Sequence, residues 1–329
     1  MAAEGGARRI VVTTEGARDS AAALAALAAA GAGIESRHDL GDGHDPAALS
    51  AGLNGAWAVV AGSERYTAEV FAAAPSLAAI VRFGAGYDAI DLAAATAAGV
   101  AVAITPGANA EAVADMALAL MLACLRRIPE LDAAARAGAW RPPHVARDLA
   151  GATVAIVGLG AIGRAVARRL RGFGCTLLAV EPAPGSAGAE LGVELCDLPS
   201  ALRRADVVTL HAPVADPSRP LLGAGELALM QPHAIVVNTA RGPLIDEPAL
   251  VAALRAGRLG GAGLDVFAHE PLAAGHPLTT LPNVVLTGHA SAFTRLAIER
   301  TGAAVVTALR ALLAGDLPAG TLNPDAWTR

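Results

Sequence analysis

The stretch Val154-Ala155-Ile156-Val157-Gly158-Leu159-Gly160-Ala161-Ile162-Gly163-Arg164 leaves this chain few folds to choose from. Its first four residues are apolar and mostly β-branched, the pattern of a strand buried on both faces of a parallel sheet. Three glycines then carry the chain into the start of an amphipathic helix. Gly158 permits the tight turn, Gly160 lets backbone approach a pyrophosphate, and Gly163 lets the helix pack close to the strand. The helix start turns the positive end of its dipole toward the phosphates. Glu181 ends the next apolar run, 23 residues past Gly158 (181 − 158). An acid at a spacing of ~20 residues accepts hydrogen bonds from the adenosine ribose of a dinucleotide. Pro182-Ala183-Pro184-Gly185 follows, with no Arg to hold a 2′-phosphate. The expected cofactor is therefore NAD rather than NADP.

The same alternation of short apolar runs and helical segments extends over most of the chain. Before residue 105 the strands are read at Ile10–Val12, Ala58–Val60, Ala79–Val81 and Val100–Val102, with a helix from an Asp-Ser cap, Asp19 to Ala30. Ala108 to Arg127 reads as one long apolar helix linking two lobes, and Arg136 to Leu149, with Gly138, Trp140, Pro142 and Pro143, as an extended arm. A second series has strands at Thr153–Val157, Thr176–Val180, Asp206–Leu210, Ala234–Asn238, Gly261–Leu264 and Val284–Leu286. A last helix, Phe293 to Leu313, returns to the first lobe. The expected class is α/β: two Rossmann-like or flavodoxin-like βα lobes with parallel sheets. A cofactor lobe of residues 106–292 is inserted in a substrate-binding lobe of residues 1–105 plus 293–329.

Three polar residues stand just past strand-like runs of the second series: Arg241 after Val236-Val237-Asn238, Glu270 after Leu264-Asp265-Val266-Phe267, and His289 after Val284-Val285-Leu286. The carboxyl ends of parallel strands open onto one crevice. A cation, a carboxylate and an imidazole delivered there suit proton-coupled chemistry on an anionic substrate.

Composition removes several alternatives. With 25 Arg, no Lys and a net charge of −5, no basic stripe points to nucleic acid, and no side-chain amine is present for Schiff-base catalysis. Cys124, Cys175 and Cys196 are scattered and suggest neither a zinc site nor a redox pair, so no metal is expected. The Ala-rich run from Ala21 to Ile34 falls short of the ~18 apolar residues of a membrane span. The first residues lack the apolar centre of a signal peptide. A soluble, cytoplasmic protein with no membrane partner is expected.

Read together, these segments resemble the D-isomer-specific 2-hydroxyacid dehydrogenases. The resemblance includes Val81-Arg82-Phe83-Gly84-Ala85-Gly86-Tyr87-Asp88, the run Thr105 to Asp115, the glycine loop and the three polar segments. It implies hydride transfer between a nicotinamide cofactor and a small 2-keto or D-2-hydroxy acid. In that resemblance His289 is the acid/base, Glu270 its partner carboxylate, and Arg241 the group that binds the substrate carboxylate and polarises the keto oxygen. A carboxylate beside an imidazole favours its protonated form and sets which nitrogen carries the proton. Gly84, Ala85 and Gly86 correspond to a turn whose backbone amides face the substrate carboxylate. Ala161, Ile162, Ala212, Thr239, Asp265 and Ala292 correspond to cofactor contacts, with Asp265 near the nicotinamide carboxamide. A homodimer through the cofactor lobe is expected by analogy.

The sequence also departs from the family. Gly288 stands where Pro commonly precedes the catalytic His, which leaves His289 more dependent on Glu270. Asp115-Met116 stands where Glu-His is frequent. The chain stops soon after the return helix, so feedback by serine through an added regulatory domain is not expected. Trp140 in the arm has either a packing role or access to a site, and Arg82 and Arg147 are the cations available for a phosphate-bearing substrate. A dinucleotide-sensing corepressor-like protein of the same fold is the alternative reading; a formate dehydrogenase would favour Gln over Glu270.

Overall fold

β-Branched and apolar runs become strands because their side chains pack on a pleated, buried surface, and among the described residues of this computed structural model every strand ladder is parallel, with one isolated antiparallel bridge between Ala103 and Thr321. The structure describes residues 8–20, 25, 28, 32–40, 45–140, 145–183, 187–214, 216 and 218–327. The chain divides into two units, one ending at Asn109 and resuming at Phe293, the other Ala110–Ala292.

The first unit holds a five-stranded sheet in the order β2-β1-β3-β4-β5, with β1 at Arg9–Val12, β2 at Gly33–Ser36, β3 at Ala58–Ala61, β4 at Ala79–Arg82 and β5 at Ala101–Ala103. Period-two alternation divides its core between the two faces. Val11, Val59 and Ile80 pack on one face with Leu49, Leu53 and Phe71. Ile10, Val12, Val60 and Val81 pack on the other with Val305, Leu309 and Leu312 of the return helix Arg295–Ala314. That helix opens on Thr294, whose hydroxyl accepts from the Ala297 amide, and closes on Gly315 in the left-handed region.

The second unit holds a seven-stranded sheet in the order β12-β11-β10-β9-β6-β7-β8. Its strands are β6 Thr153–Val157, β7 Thr176–Val180, β8 Glu194–Leu195, β9 Val207–Leu210, β10 Ile235–Asn238, β11 Gly261–Leu264 and β12 Val284–Leu286. The chain runs outward from β6 to β7 and β8, then crosses back to β9, which pairs with β6 on its other side. This reversal between β6 and β9 is the topological switch point, where open α/β sheets take their ligands. The helix Ala110–Arg126 lies on the sheet through Ala114, Ala117, Leu120 and Met121. Asp115 pairs with Arg169 at 2.6 Å and ties that helix to Ala161–Leu170, the helix that follows the glycine turn.

The expected strands all form, each within one residue of its expected bounds. β2 and β8 were not expected. β2 carries one large apolar side chain and β8 is a two-residue exposed edge, so neither shows a hydrophobic run. The expected helix to Arg127 ends one residue earlier, at Arg126: Arg127 is left-handed (φ 53°), and a second helix that was not expected runs Ile128–Arg136, before the irregular stretch read as the arm. Pro129 explains it, because proline interrupts a helix interior yet is tolerated in a first turn. Asp19 and Ser20 lie in a 3-10 helix, Glu15–Ser20. Most of the helix expected over 19–30 lies outside the described residues. Among the described residues no helix is long and apolar enough to cross a membrane.

Candidate active site

The glycine turn has the form its sequence dictates. Gly158 is left-handed (φ 94°), and a Cβ there would lie 2.6 Å from the His211 carbonyl oxygen and 2.8 Å from the Ala212 amide. A Cβ on Gly163 would overlap the Gly158 carbonyl, so helix and turn are in backbone contact. Gly160 has open space on its Cβ side. The first N–H groups of the helix, around Ala161 and Ile162, have no intrahelical partners. Glu181 reaches back to the turn: its Oε2 accepts from the Leu159 amide at 2.8 Å and its Oε1 from the Ala183 amide at 3.1 Å. Across the sheet, Thr239 is buried with an Oγ1 that no hydrogen bond among the described residues satisfies. Open backbone at the turn, an acid beside it and an orphaned hydroxyl at the end of β10 fit a dinucleotide lying over this edge.

Arg241, Glu270 and His289 follow β10, β11 and β12, so all three sit at the carboxyl edge of the same sheet. Asn238 shapes the Arg241 turn, donating from Nδ2 to the Arg241 carbonyl at 2.8 Å and accepting the Ala240 amide on Oδ1 at 3.0 Å. The turn then presses on the next loop: a Cβ on Gly242 would overlap the Phe267 carbonyl. That second loop carries Glu270. The Phe267 amide donates to Glu270 Oε1 at 2.9 Å, and Glu270 Oε2 meets His289 Nδ1 at 2.7 Å. A carboxylate only accepts, so Nδ1 carries the proton and Nε2 is left to the crevice. Burial works to raise the Glu270 carboxyl, but the hydrogen bonds from His289 and the Phe267 amide, with the charges of His289 and Arg241, hold it below the usual range.

The loop carrying His289 is organised by a residue that the sequence placed only at the cofactor. Asp265 is 0% exposed at the end of β11. Its Oδ1 accepts from Thr287 Oγ1 at 2.5 Å and the Ala290 amide at 2.9 Å, and its Oδ2 from the Ser291 amide at 3.0 Å and the Ser291 hydroxyl. The His289 amide donates to the Asp265 carbonyl at 2.7 Å. His289 itself is left-handed, φ 53°, a conformation uncommon outside glycine. Gly288 does not take that strain; it is the Asp265 carboxylate that holds the loop through it. The expected reliance of His289 on Glu270 is thus joined by a second support, Asp265. Burial would raise the Asp265 carboxyl, yet the Ser291 and Thr287 hydroxyls and the two amides keep it low.

Other expectations change. The Gly84 amide, expected to face the substrate carboxylate, is spent within the unit: it donates to Thr105 Oγ1 and to the Arg82 carbonyl, both at 2.9 Å. No hydrogen bond among the described residues uses the amides of Ala85 or Gly86. Arg147 lies at the edge of the sheet opposite Arg241, Glu270 and His289. It donates to the His233 carbonyl and to Asp206 Oδ1, both at 2.7 Å, and these residues precede β10 and β9 at the amino ends of the strands. Trp140 is 93% exposed, and residues 141–144 of the arm lie outside the described residues. Ala292 ends the second unit. Among the described residues no group of His, Cys, Asp and Glu could hold a metal ion.

Comparisons with known proteins identify the family. Residues 118–291 match the family described as D-isomer specific 2-hydroxyacid dehydrogenase, NAD binding domain. The D-3-phosphoglycerate dehydrogenase of Mycobacterium leprae is 42% identical over 86% of this chain, and the match spans about half (54%) of that protein. The glyoxylate reductase of Korarchaeum cryptofilum is 40% identical over 78% of this chain and 80% of its own length. In structure, the TT0316 protein of Thermus thermophilus superposes with a TM-score of 0.85 at 39% identity, covering 95% of this chain and 99% of that one. The chain belongs to the D-isomer specific 2-hydroxyacid dehydrogenase family and carries its NAD-binding domain.

Proposed function

We propose that this protein reduces a short 2-keto acid to the D-2-hydroxy acid with NADH, and runs the reverse oxidation with NAD. The observation that carries the proposal is the 2.7 Å pairing of His289 Nδ1 with Glu270 at the carboxyl edge of the sheet that bears the glycine turn. Bound NADH supplies the hydride that arrives at carbon 2. Arg241 holds the substrate carboxylate with its planar fork and draws electron density from the keto oxygen. The Nε2–H of protonated His289 passes its proton to that oxygen as the hydride arrives, and Glu270 stabilises the imidazolium and keeps the ring oriented. The amides of Ala85 and Gly86 add donors for the carboxylate. Gly158, Gly160, Ala161, Ile162 and Gly163 bind the pyrophosphate, Glu181 the adenosine ribose, and Ala212, Thr239, Asp265 and Ala292 the nicotinamide half.

The test is NADH oxidation with glyoxylate, hydroxypyruvate, pyruvate and phosphohydroxypyruvate. His289→Ala and Arg241→Ala are each expected to lose ~10²–10⁴-fold in rate while still binding NADH. If the wild type turns over none of these acids yet binds NADH tightly, the protein is a dinucleotide sensor instead. A homodimer through the second unit belongs to the same proposal. Trp140 and Val145, 93% and 96% exposed, offer apolar surface on the arm, and a monomer in light scattering at working concentration removes it.

A further inference from the structure

A carboxylate outside the catalytic set joins two of its loops. The segment from β11 to β12, residues 265–283, holds no strand or α-helix and one 3-10 helix, Pro277–Thr280. A connection of that length with so little regular structure is uncommon in a compact domain, and its backbone groups need specific partners. Glu270 stands inside it, and Glu247 supplies two of the anchors. Glu247 is the first residue of the helix Glu247–Arg255, with a side chain that is 14% exposed. Its Oε2 accepts from the Ala268 amide at 3.2 Å, and its Oε1 meets His276 Nε2 at 3.1 Å. His276 Nδ1 accepts from the Leu278 amide at 3.3 Å, so the ring proton sits on Nε2 and is donated to Glu247. Leu278 is 1% exposed in the core. One carboxylate therefore closes the segment 268–276 on both flanks of Glu270.

Glu247 is itself fixed on the Arg241 side. From Arg241 the chain enters the 3-10 helix Gly242–Leu244, with the Leu244 amide on the Arg241 carbonyl at 3.2 Å and the Ile245 amide on the Gly242 carbonyl at 3.1 Å. Ile245 then bridges to Leu222, whose amide donates to the Leu244 carbonyl and whose carbonyl accepts from the Asp246 amide, both at 3.0 Å. Asp246 caps the helix by accepting from the Ala249 amide at 3.0 Å. A carboxylate on this base joins the Arg241 turn to the Glu270 loop a second time, besides the backbone contact of Gly242 with Phe267. The amide it holds, on Ala268, adjoins the Phe267 amide that donates to Glu270 Oε1.

We propose that Glu247 is a positioning residue for the reaction: by holding Ala268 and His276 it sets the place from which Glu270 meets His289, in register with the Arg241 turn. The inference rests on the 2-keto acid reading above. Glu247 acts through Glu270, so its loss is felt only as far as Glu270 contributes. Supporting contacts of this kind keep a catalytic pair within the narrow geometry that proton transfer needs.

The experiment measures kcat for glyoxylate and calorimetric NADH binding in Glu247→Ala, alone and combined with Glu270→Gln, and in His276→Gln and His276→Asn. Glu247→Ala is expected to lower kcat about tenfold or more, the effect of one lost hydrogen bond to a charged group, with NADH binding unchanged. In the Glu270→Gln background the same change should cost less than about threefold, because residues that act as a unit are not additive. A Gln side chain reaches the place of His276 Nε2 and an Asn side chain that of Nδ1. His276→Gln therefore keeps the donor to Glu247 and loses the cap on Leu278, and His276→Asn does the reverse. His276→Gln should hold kcat near the wild type, and His276→Asn should lower it as Glu247→Ala does; this pair answers the question even if Glu247→Ala does not fold. Hydrogen exchange without substrate reads the same placement independently of turnover: the Phe267 amide, bonded to Glu270, should exchange about tenfold faster in Glu247→Ala. Equal losses in the two backgrounds, a wild-type kcat in His276→Asn with His276→Gln impaired, or an unmoved Phe267 amide overturns this inference alone. A wild type that reduces none of the 2-keto acids overturns the reductase reading, and the Phe267 amide then still decides whether Glu247 places Glu270.

Discussion

Replacing Asp265 with Asn tests whether the carboxylate at the end of β11 builds the loop that presents His289. The change is nearly isosteric, so its effect is confined to hydrogen bonding. The carboxylate accepts four donors, from Thr287 Oγ1, the Ala290 amide, and the amide and hydroxyl of Ser291. An Asn side chain keeps one acceptor oxygen and turns an NH₂ toward the other two donors. Hydrogen bonds to a charged group contribute ~1.5–3 kcal/mol each, so losing two removes ~3–6 kcal/mol from the loop. The left-handed His289 adds ~1–3 kcal/mol of strain that the loop then has less to oppose. Taking the lower figure of ~3 kcal/mol, the loop conformation is disfavoured by about 100-fold. kcat for glyoxylate is expected to fall by about that factor, within the ~10²–10⁴ range of losing the general acid altogether. Ser291→Ala, which leaves the carboxylate in place and removes one hydroxyl donor, should cost about tenfold. Because the folded carboxyl sits below its ordinary value, these bonds are at full strength above about pH 4 and weaken only as pH falls through the folded value. Steady-state NADH oxidation with calorimetric NADH binding decides the matter. If Asp265→Asn stays within threefold of the wild-type kcat, or weakens only NADH binding while Ser291→Ala is silent, the reasoning is refuted.

Two further outcomes follow from neighbouring residues. His211, whose Nδ1 is shut off from solvent and whose Nε2 meets Thr209 Oγ1 at 2.9 Å, is pushed down to about 3 by burial. The unfolded chain takes up that proton near pH 6.5 and the folded one does not, so stability falls as pH drops below about 6.5. The loss between pH 7 and pH 5 is ~2 kcal/mol, and urea unfolding of His211→Gln at both pH values should show it missing; equal pH dependence in the two proteins counts against the assignment. Glu181→Ala should narrow the preference for NADH over NADPH by at least about tenfold, through loss of a charged ribose hydrogen bond; an unchanged preference in cofactor titrations removes Glu181 from that role.

The architecture was legible in the sequence because it depends on local pattern. A buried parallel strand must be an unbroken apolar run, a glycine turn must precede the helix that meets a pyrophosphate, and both signals lie within a dozen residues, as in Val154 to Arg164. Strand-end position likewise drew out Arg241, Glu270 and His289, since parallel strands deliver their carboxyl ends to one edge. The missed elements carried no such pattern: β2 and β8 are polar edges, and the break at Arg127 depends on Pro129 acting within one turn.

The sequence by itself thus determined the fold class, the family, and which polar residues reach the crevice, because period, glycine spacing and chain order are properties of neighbours along the chain. Only the tertiary structure decided which hydrogen bonds those residues spend on one another. Asp265 binds Thr287, Ala290 and Ser291 across 22 to 26 residues, Gly84 gives its amide to Thr105, and Arg147 pairs with Asp206 at the amino ends of the strands. A side chain's partners depend on distances between loops that adjoin only when the sheets have formed, and no local pattern encodes them.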